Sequence, residues 1–258
     1  MPFHINQLKI LELNIKNWKK YLPCEKANGY QSPKLIFYVG FHREISMKNL
    51  EQTLNGFKES FECFSNADKT QIVTYNFSKG NDLHILGARL MFEYCLNKEH
   101  ESFKDIQYMF YMEPDCRPIK SKWINALQNE IGSTNFWMKG SFFRGLTKII
   151  YETEYLPNKY HINGNAIYNL GDERFSKFYF QTLRPYIKRH RDSITAFDTD
   201  FSEFIMDKKN LLVVGNIIHN FGFTEVVLNY WRQNYSVVEI VQANKNSYLV
   251  HGGEPRDW

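Results

Sequence analysis

The chain has 258 residues, 43% of them hydrophobic and 16% aromatic, which is enough to bury a large core in one α/β domain or two small ones. Its 32 basic and 28 acidic residues nearly balance, so composition demands no nucleic-acid partner and none is expected, while a mild positive excess suits an anionic substrate. No apolar run approaches the length of a membrane span and no signal-peptide core is visible, which leaves peripheral contact as the only expected meeting with a membrane.

In chain order, Leu8, Leu11, Ile15, Trp18 and Leu22 fall at helical spacing, and Pro23 to Pro33 reads as a linker. Residues 1–29 are therefore expected to stand before a single domain of residues 30–258. Leu35 to Val39 is a short continuous apolar run ending at Gly40, as in a buried parallel strand. Ser46 is placed to cap a helix carrying Met47, Leu50, Leu54, Phe57 and Phe61 on one face, and Gln71 to Tyr75 is a second strand. After Lys79-Gly80-Asn81 a helix with Leu83, Leu86, Leu90, Met91 and Tyr94 on one stripe is expected, capped by Asn81 or Asp82. A third strand, 106–112, completes a β-α-β-α-β order, whose natural outcome is a parallel sheet.

That third strand ends in Glu113-Pro114-Asp115. Two acids at the exit of a buried strand repel one another unless a cation lies between them, which is the chemistry of a divalent metal site for a phosphorylated substrate. A loop of two solvated acids is the plainer alternative. In open α/β sheets ligands sit outside the carboxyl ends of the strands, and Val39 to His42, Asn76 and the acid pair all lie at such ends.

Further on, Ser121 is expected to cap a helix bearing Trp123, Ile124, Leu127 and Ile131, and helices are expected at 172–188 and 200–206. Phe136 to Met138, Ile149 to Tyr151, Leu211 to Ile218, Val237 to Val241 and Tyr248 to Val250 read as strands, with a flap expected at 152–160. Cys24, Cys63, Cys95 and Cys116 show no metal-ligand spacing and no disulfide framework, from which a reducing, cytoplasmic location is expected.

The run Gly80-Asn81, Gly87-Ala88-Arg89, Tyr108 to Asp115 and Trp123 to Leu127 resembles the nucleotide-binding half of GT-A glycosyltransferases, with Glu113 at the first position of their D-x-D motif. The resemblance implies a Rossmann-like α/β/α sandwich with a mostly parallel central sheet and a smaller mixed sheet, residues 30–130 binding nucleotide and 131–258 the acceptor. It implies a nucleotide-sugar donor, most simply a UDP-sugar, a glycan or other hydroxyl acceptor, and Mn²⁺ (or Mg²⁺) on Asp115, Glu113 and a late histidine, His251. Val39, Gly40, Phe41, Arg43, Asn76, Asp82, Arg89 and Glu113 would serve the nucleotide. His161 to Tyr168, with Gly164 and Asn165, resembles the segment lining donor and acceptor. Ala196 to Phe201 resembles the acidic segment that supplies a base in inverting members, which makes Asp198 the base and Asp200 its reserve, inversion being slightly favoured over retention.

Phe142, Phe143, Tyr155 and Trp231 are candidate acceptor-stacking rings, each equally suited to a core. Three rivals accompany this reading: an inactive binding module of the same fold, a sugar nucleotidylyltransferase, and a glycoside hydrolase using Asp115 with Asp198. The nucleotidylyltransferase wants a Gly-rich basic loop where this chain has Gly40-Phe41-His42-Arg43.

Overall fold

Three residues at the start of the chain, Pro2–His4 (β1), lie parallel to Leu35–Phe41 (β2), which in turn lies parallel to Thr70–Asn76 (β3). In this computed structural model the described residues are all except 26–32, 43–46, 56–62, 65–69, 145–159, 192–193, 232 and 257–258, together with the side chain of Asn49. The proposed nucleotide contact Arg43, the Ser46 cap, Phe57, Phe61, the strand at 149–151 and the flap with Tyr155 lie outside them.

The helix expected at the N-terminus is Leu8–Trp18 (α1), with Leu11, Ile15 and Trp18 fully buried. Trp18 meets Trp123 edge-on at 5.3 Å, so α1 is packed into the same core as the helix Trp123–Ser133. Met47–Asn55 (α2) joins β2 to β3, and His84–Leu96 (α3) follows β3. Its N-cap is Leu83, with no side-chain cap, because the Asp82 carboxylate is drawn away to two histidines.

After the single turn Glu101–Lys104 (α4), the strand expected at 106–112 is only Tyr108–Phe110 (β4), and it does not join β2 and β3 in a parallel sheet but pairs antiparallel with Ile167–Asn169 (β7) in a separate one. Strand β7 also pairs antiparallel with Met138–Gly140 (β6), and β6 lies parallel to Phe221–Phe223 (β8). A third sheet joins Cys116–Pro118 (β5), Leu249–His251 (β10) and Val227–Asn229 (β9). The expected α/β class holds: a parallel three-stranded sheet with smaller mixed sheets, packed with helices.

Trp123–Ser133 (α5) begins at Lys122, a left-handed residue at φ 67°, and not on a Ser121 side chain. Glu173–Phe178 (α6) is capped by Asp172 and runs through a π-turn at Tyr179–Leu183 into Arg184–His190 (α7). Phe197–Met206 (α8) is followed by Leu211–Ile217 (α9) and Val237–Ala243 (α10). Two expected strands are thus helices. At the second, the Ser236 hydroxyl accepts from Glu239 N at 3.1 Å, a cap that outweighs the β-branched composition of Val237-Val238. At the first, Asp207 accepts from Lys209 N at 2.9 Å and starts the turn that feeds α9.

Cys24 and Cys63 form a disulfide, their Cα atoms 5.7 Å apart, which corrects the reading that the cysteines give no disulfide framework. The cysteine argument for a reducing compartment falls with it. No helix among the described residues is long and apolar enough to cross a membrane.

Candidate metal centre

Glu113 and Asp115 flank a tight turn closed by Cys116 N donating to Glu113 O at 3.0 Å. The turn is pinned from behind by Asn14 of α1, a fully buried amide that donates to Pro114 O at 3.0 Å and to Cys116 O at 2.7 Å. A buried amide must satisfy its donors, so α1 and the turn hold each other in place. Glu113 and Asp115 remain open, at 32% and 39% side-chain exposure, and face a crevice as expected for acids at a strand exit.

The register of the third sheet delivers the third residue. On β10, His251 stands beside Cys116 of β5 and Asn229 of β9, far away along the chain from the acid turn. Its Nε2 lies 3.4 Å from Asp115 Oδ2 and 3.6 Å from Glu113 Oε2, with only 5% of the side chain exposed. The tautomer follows from Asn229. Its Oδ1 accepts Trp231 N at 3.0 Å, which marks it as the amide oxygen, and it lies 3.1 Å from His251 Nδ1. Nδ1 therefore carries the proton, and neutral His251 turns an unprotonated Nε2 toward the two acids. That is how a metal-ligating imidazole is held.

Without a cation the two acids favour a proton on that Nε2, the proton a metal ion would displace. Burial raises Glu113 to about 7; His251 pulls it back while Asp115 pushes it further. Burial also works to raise Asp115, but the hydrogen bond and charge of His251 outweigh it and hold Asp115 below the usual carboxylate range. For His251, burial disfavours the cation, and the Asp115 and Glu113 charges more than offset it. Two acids and an imidazole within 4.8 Å of one another, sharing too few protons to be neutral, fit a divalent cation.

Asn165 sets Glu113. Its Nδ2 donates to Glu113 Oε2 at 2.8 Å, and its Oδ1 accepts Glu113 N at 2.8 Å. Asn163 Oδ1 in turn accepts from both Asn165 N and Nδ2, each at 3.0 Å. Neighbouring Gly164 donates its N–H to Asp198 Oδ2 at 2.9 Å, and an added Cβ there would sit 3.0 Å from Phe197. The segment Asn163 to Asn165 thus joins the acid turn to Asp198 directly.

A second group, His4, His42 and Asp82, also brings three ligand atoms within 4.8 Å of one another. It lacks the right tautomer. His4 Nδ1 accepts Asn6 N at 3.2 Å, so Nε2 carries the proton and donates to Asp82, 3.1 Å from Oδ1. We read it as a hydrogen-bonded clasp, with His42 Nδ1 on Asp82 Oδ2, between the ends of β1 and β2 and the loop before α3.

The nucleotide candidates divide. Val39 and Gly40 are buried within β2, paired to Phe3 and His4 on one side and to Thr74 and Tyr75 on the other, so neither offers a free edge. A Cβ on Gly40 would meet Phe77 at 2.5 Å; this glycine serves packing. Phe41 packs partly on the core, Asn76 is exposed at the end of β3, and Asp82 is in the clasp. Arg89 lies 3.8 Å from Glu93 on its own helix, and its charge helps to keep Asp200 ionised.

Asp198 and Asp200 face opposite ways. Asp198 belongs to the crevice: burial tends to raise it, but His161 at 3.4 Å and the N–H groups of Gly164 and Thr199 hold it below its ordinary value. Asp200 is fully buried on Arg184, 2.5 Å away, and Arg184 also reaches Glu93 at 3.2 Å. Burial lifts Asp200 to about 6 against those cations. The reserve base is enclosed in a structural ion cluster with no exposed face. Among the acceptor candidates, Phe142 packs on Phe223 at 4.2 Å, and Trp231 is 42% exposed near His251 through Asn229.

Sequence comparison finds no protein-family model and no characterised protein that matches this chain. Structure comparison does find similar folds. The galactosyltransferase LgtC, solved with donor and acceptor sugar analogues, superposes with a TM-score of 0.54 over 99% of this chain and 87% of its own at 13% identity. An active-site mutant of LgtC gives 0.54 at 14% identity over 99% of this chain and 87% of that one. Mouse xyloside xylosyltransferase 1, in its apo form, gives 0.52 at 13% identity over 98% of this chain and 96% of that one. The chain has the fold of the GT-A nucleotide-sugar glycosyltransferases.

Proposed function

We propose that this chain transfers a sugar from a nucleotide-diphosphate donor, a UDP-sugar, to a hydroxyl of a glycan or other acceptor. Asp115, Glu113 and His251 would hold Mn²⁺ (or Mg²⁺), and the imidazole nitrogen favours Mn²⁺. The carrying observation is the His251 tautomer: Asn229 Oδ1 accepts the hydrogen bond of Nδ1–H, so in the neutral ring the lone pair of Nε2 is turned toward the two carboxylates. When bound, the ion stabilises the charge that builds on the departing diphosphate.

The chain's own residues supply the rest. Asn165 holds the Glu113 carboxylate, and Asn14 holds the turn, so the ligands are in place before a donor arrives. The nucleotide is assigned to the half before residue 130, at the strand ends near Asn76 and the His4, His42 and Asp82 clasp. The acceptor is assigned to the later half. Asp198, kept ionised beside His161, takes the hydrogen bond of a donor or acceptor hydroxyl. In an inverting reaction it would also take that proton, as a weak base whose help comes late in the transfer.

A thermal-shift screen of UDP- and GDP-sugars with and without Mn²⁺ tests the reading, because a ligand of the folded state raises its apparent stability. A rise for UDP-sugars that needs Mn²⁺ is expected. No shift with any nucleotide sugar would overturn it.

A further inference from the structure

The helix α9 is ordered and apolar, and it faces outward. Leu211, Leu212 and Val213 are 64%, 89% and 41% exposed, and Met206 and Ile218 at either end are 42% and 44% exposed. Within the helix only Val214 is buried. Side-chain hydrogen bonds pin the segment, so its exposure is built in. Asn210 Nδ2 donates to Phe204 O at 3.0 Å and Asn216 Nδ2 to Leu212 O at 2.9 Å. A contiguous ridge of this kind is not left facing water without a use.

Its surroundings are basic. Lys208 and Lys209 are exposed immediately before the helix. The exposed Lys188 and Arg189 at the end of α7 are brought to the same end, because Tyr186 of α7 donates to Asp207 Oδ2 at 2.5 Å. Asp207 is the only acid between Met206 and Ile218, and its two oxygens are occupied by Tyr186 and by Lys209 N. The ridge therefore carries apolar side chains rimmed by cations, without a competing free carboxylate on its own segment.

We propose that α9 docks this protein on an anionic lipid surface, Leu211, Leu212 and Val213 entering the headgroup boundary while Lys208, Lys209, Lys188 and Arg189 meet lipid phosphates. Charge complementarity decides between occupants: a second copy would bring a second set of the same lysines to the contact, and like charges would oppose it. The inference goes beyond the transfer reaction and does not depend on it.

Co-sedimentation of the full chain with vesicles of phosphatidylcholine alone, and of phosphatidylcholine mixed with phosphatidylglycerol, tests this. The protein is expected to pellet with the anionic vesicles and to be released by high salt. Lys208→Glu with Lys209→Glu should weaken binding by at least about fivefold for each lysine lost. Leu211→Glu with Leu212→Glu should abolish binding at unchanged thermal midpoint, since both side chains are already exposed. Equal pelleting with neutral vesicles, or none with anionic ones, would overturn the proposal. A dimer by light scattering that the leucine variant dissociates would also overturn it, by giving the face to a second copy.

Discussion

Asn229 Oδ1 lies 3.1 Å from His251 Nδ1 and thereby fixes which imidazole nitrogen faces Glu113 and Asp115. The two residues are partners in a parallel ladder, so the sheet register itself sets the tautomer. Replacing Asn229 by Ala leaves Nδ1 without its acceptor and lets the ring turn or exchange its proton. Mn²⁺ affinity, followed by titration of the free-ion EPR signal, should fall by about tenfold to a hundredfold, the usual cost of losing such a partner. Asn229→Asp keeps an acceptor and should retain most of the affinity. Wild-type affinity in Asn229→Ala would show that the tautomer is set by something else.

The two acids of α8 should behave differently. Asp198→Asn is expected to keep the thermal midpoint close to wild type and to lower turnover strongly, because its carboxylate lines the crevice beside His161. Asp200→Ala should instead destabilise the fold by roughly 1–3 kcal/mol, by removing a buried charge-assisted hydrogen bond and leaving the half-buried Arg184 with a single remaining acid, Glu93. Thermal denaturation together with turnover separates them; a normal midpoint for Asp200→Ala would undo the structural assignment.

The Cys24–Cys63 bridge closes a separation of 39 residues and ties the segment after α1 to that after α2. On chain-entropy grounds a loop of this length is worth up to about 4 kcal/mol. Reduction, or Cys24→Ser, should lower the thermal midpoint by several degrees, and mass spectrometry of the alkylated protein should count two protected thiols. Four free thiols in the native oxidised protein would contradict the pairing.

Asp172 gives a stability term with a defined sign. Hydrogen bonds from Arg174, opposed by burial and helped by Trp137 Nε1 at 3.0 Å, lower its pKa to about 2. Its folded pKa is depressed, so the stabilisation is present above the unfolded value of about 4 and is lost as pH falls toward 2. Asp172→Asn preserves the helix cap but removes the charge. It should be less stable than wild type by on the order of 1 kcal/mol at neutral pH, the Arg174 partner being well exposed, with the gap closing between about pH 4 and 2. A gap independent of pH in denaturant melts would refute this.

Much of the frame was legible in the chain. The apolar runs of β2 and β3, the presence of the helix α3, and the exit of a strand into Glu113 and Asp115 follow from periodicity and from the cost of burying charge; the face that α3 buries is Gly87, Met91, Phe92, Cys95 and Leu96, and Leu83 of the expected stripe is exposed. His251 entered only through the family resemblance, as a late histidine. Strand β1 was not legible: Pro2-Phe3-His4 is too short to show a period, and only pairing with β2 makes it a strand. The same brevity hid that β1 covers one edge of Val39 and Gly40.

The supporting amides were equally silent. Asn14 sits mid-helix, where an amide carries no signal until its tertiary partners are known, and Asn229 gains its role only from the register of β9 and β10. Residues two apart on a helix point about 200° apart, which is why Asp198 and Asp200 cannot share one crevice. That geometry was available once α8 was placed. The Ser236 to Glu239 spacing was a readable helix start that the β-branched residues between them obscured.

The central claim is that Asp115, Glu113 and His251 hold a divalent ion that is needed to bind the donor diphosphate. Calorimetric titration of the wild type and Asp115→Ala with UDP, in Mn²⁺ and in chelator, tests it most directly. Binding is predicted for the wild type in Mn²⁺ only, and for Asp115→Ala in neither. Equal UDP affinity in chelator, or undiminished Mn²⁺-dependent binding by Asp115→Ala, would contradict it.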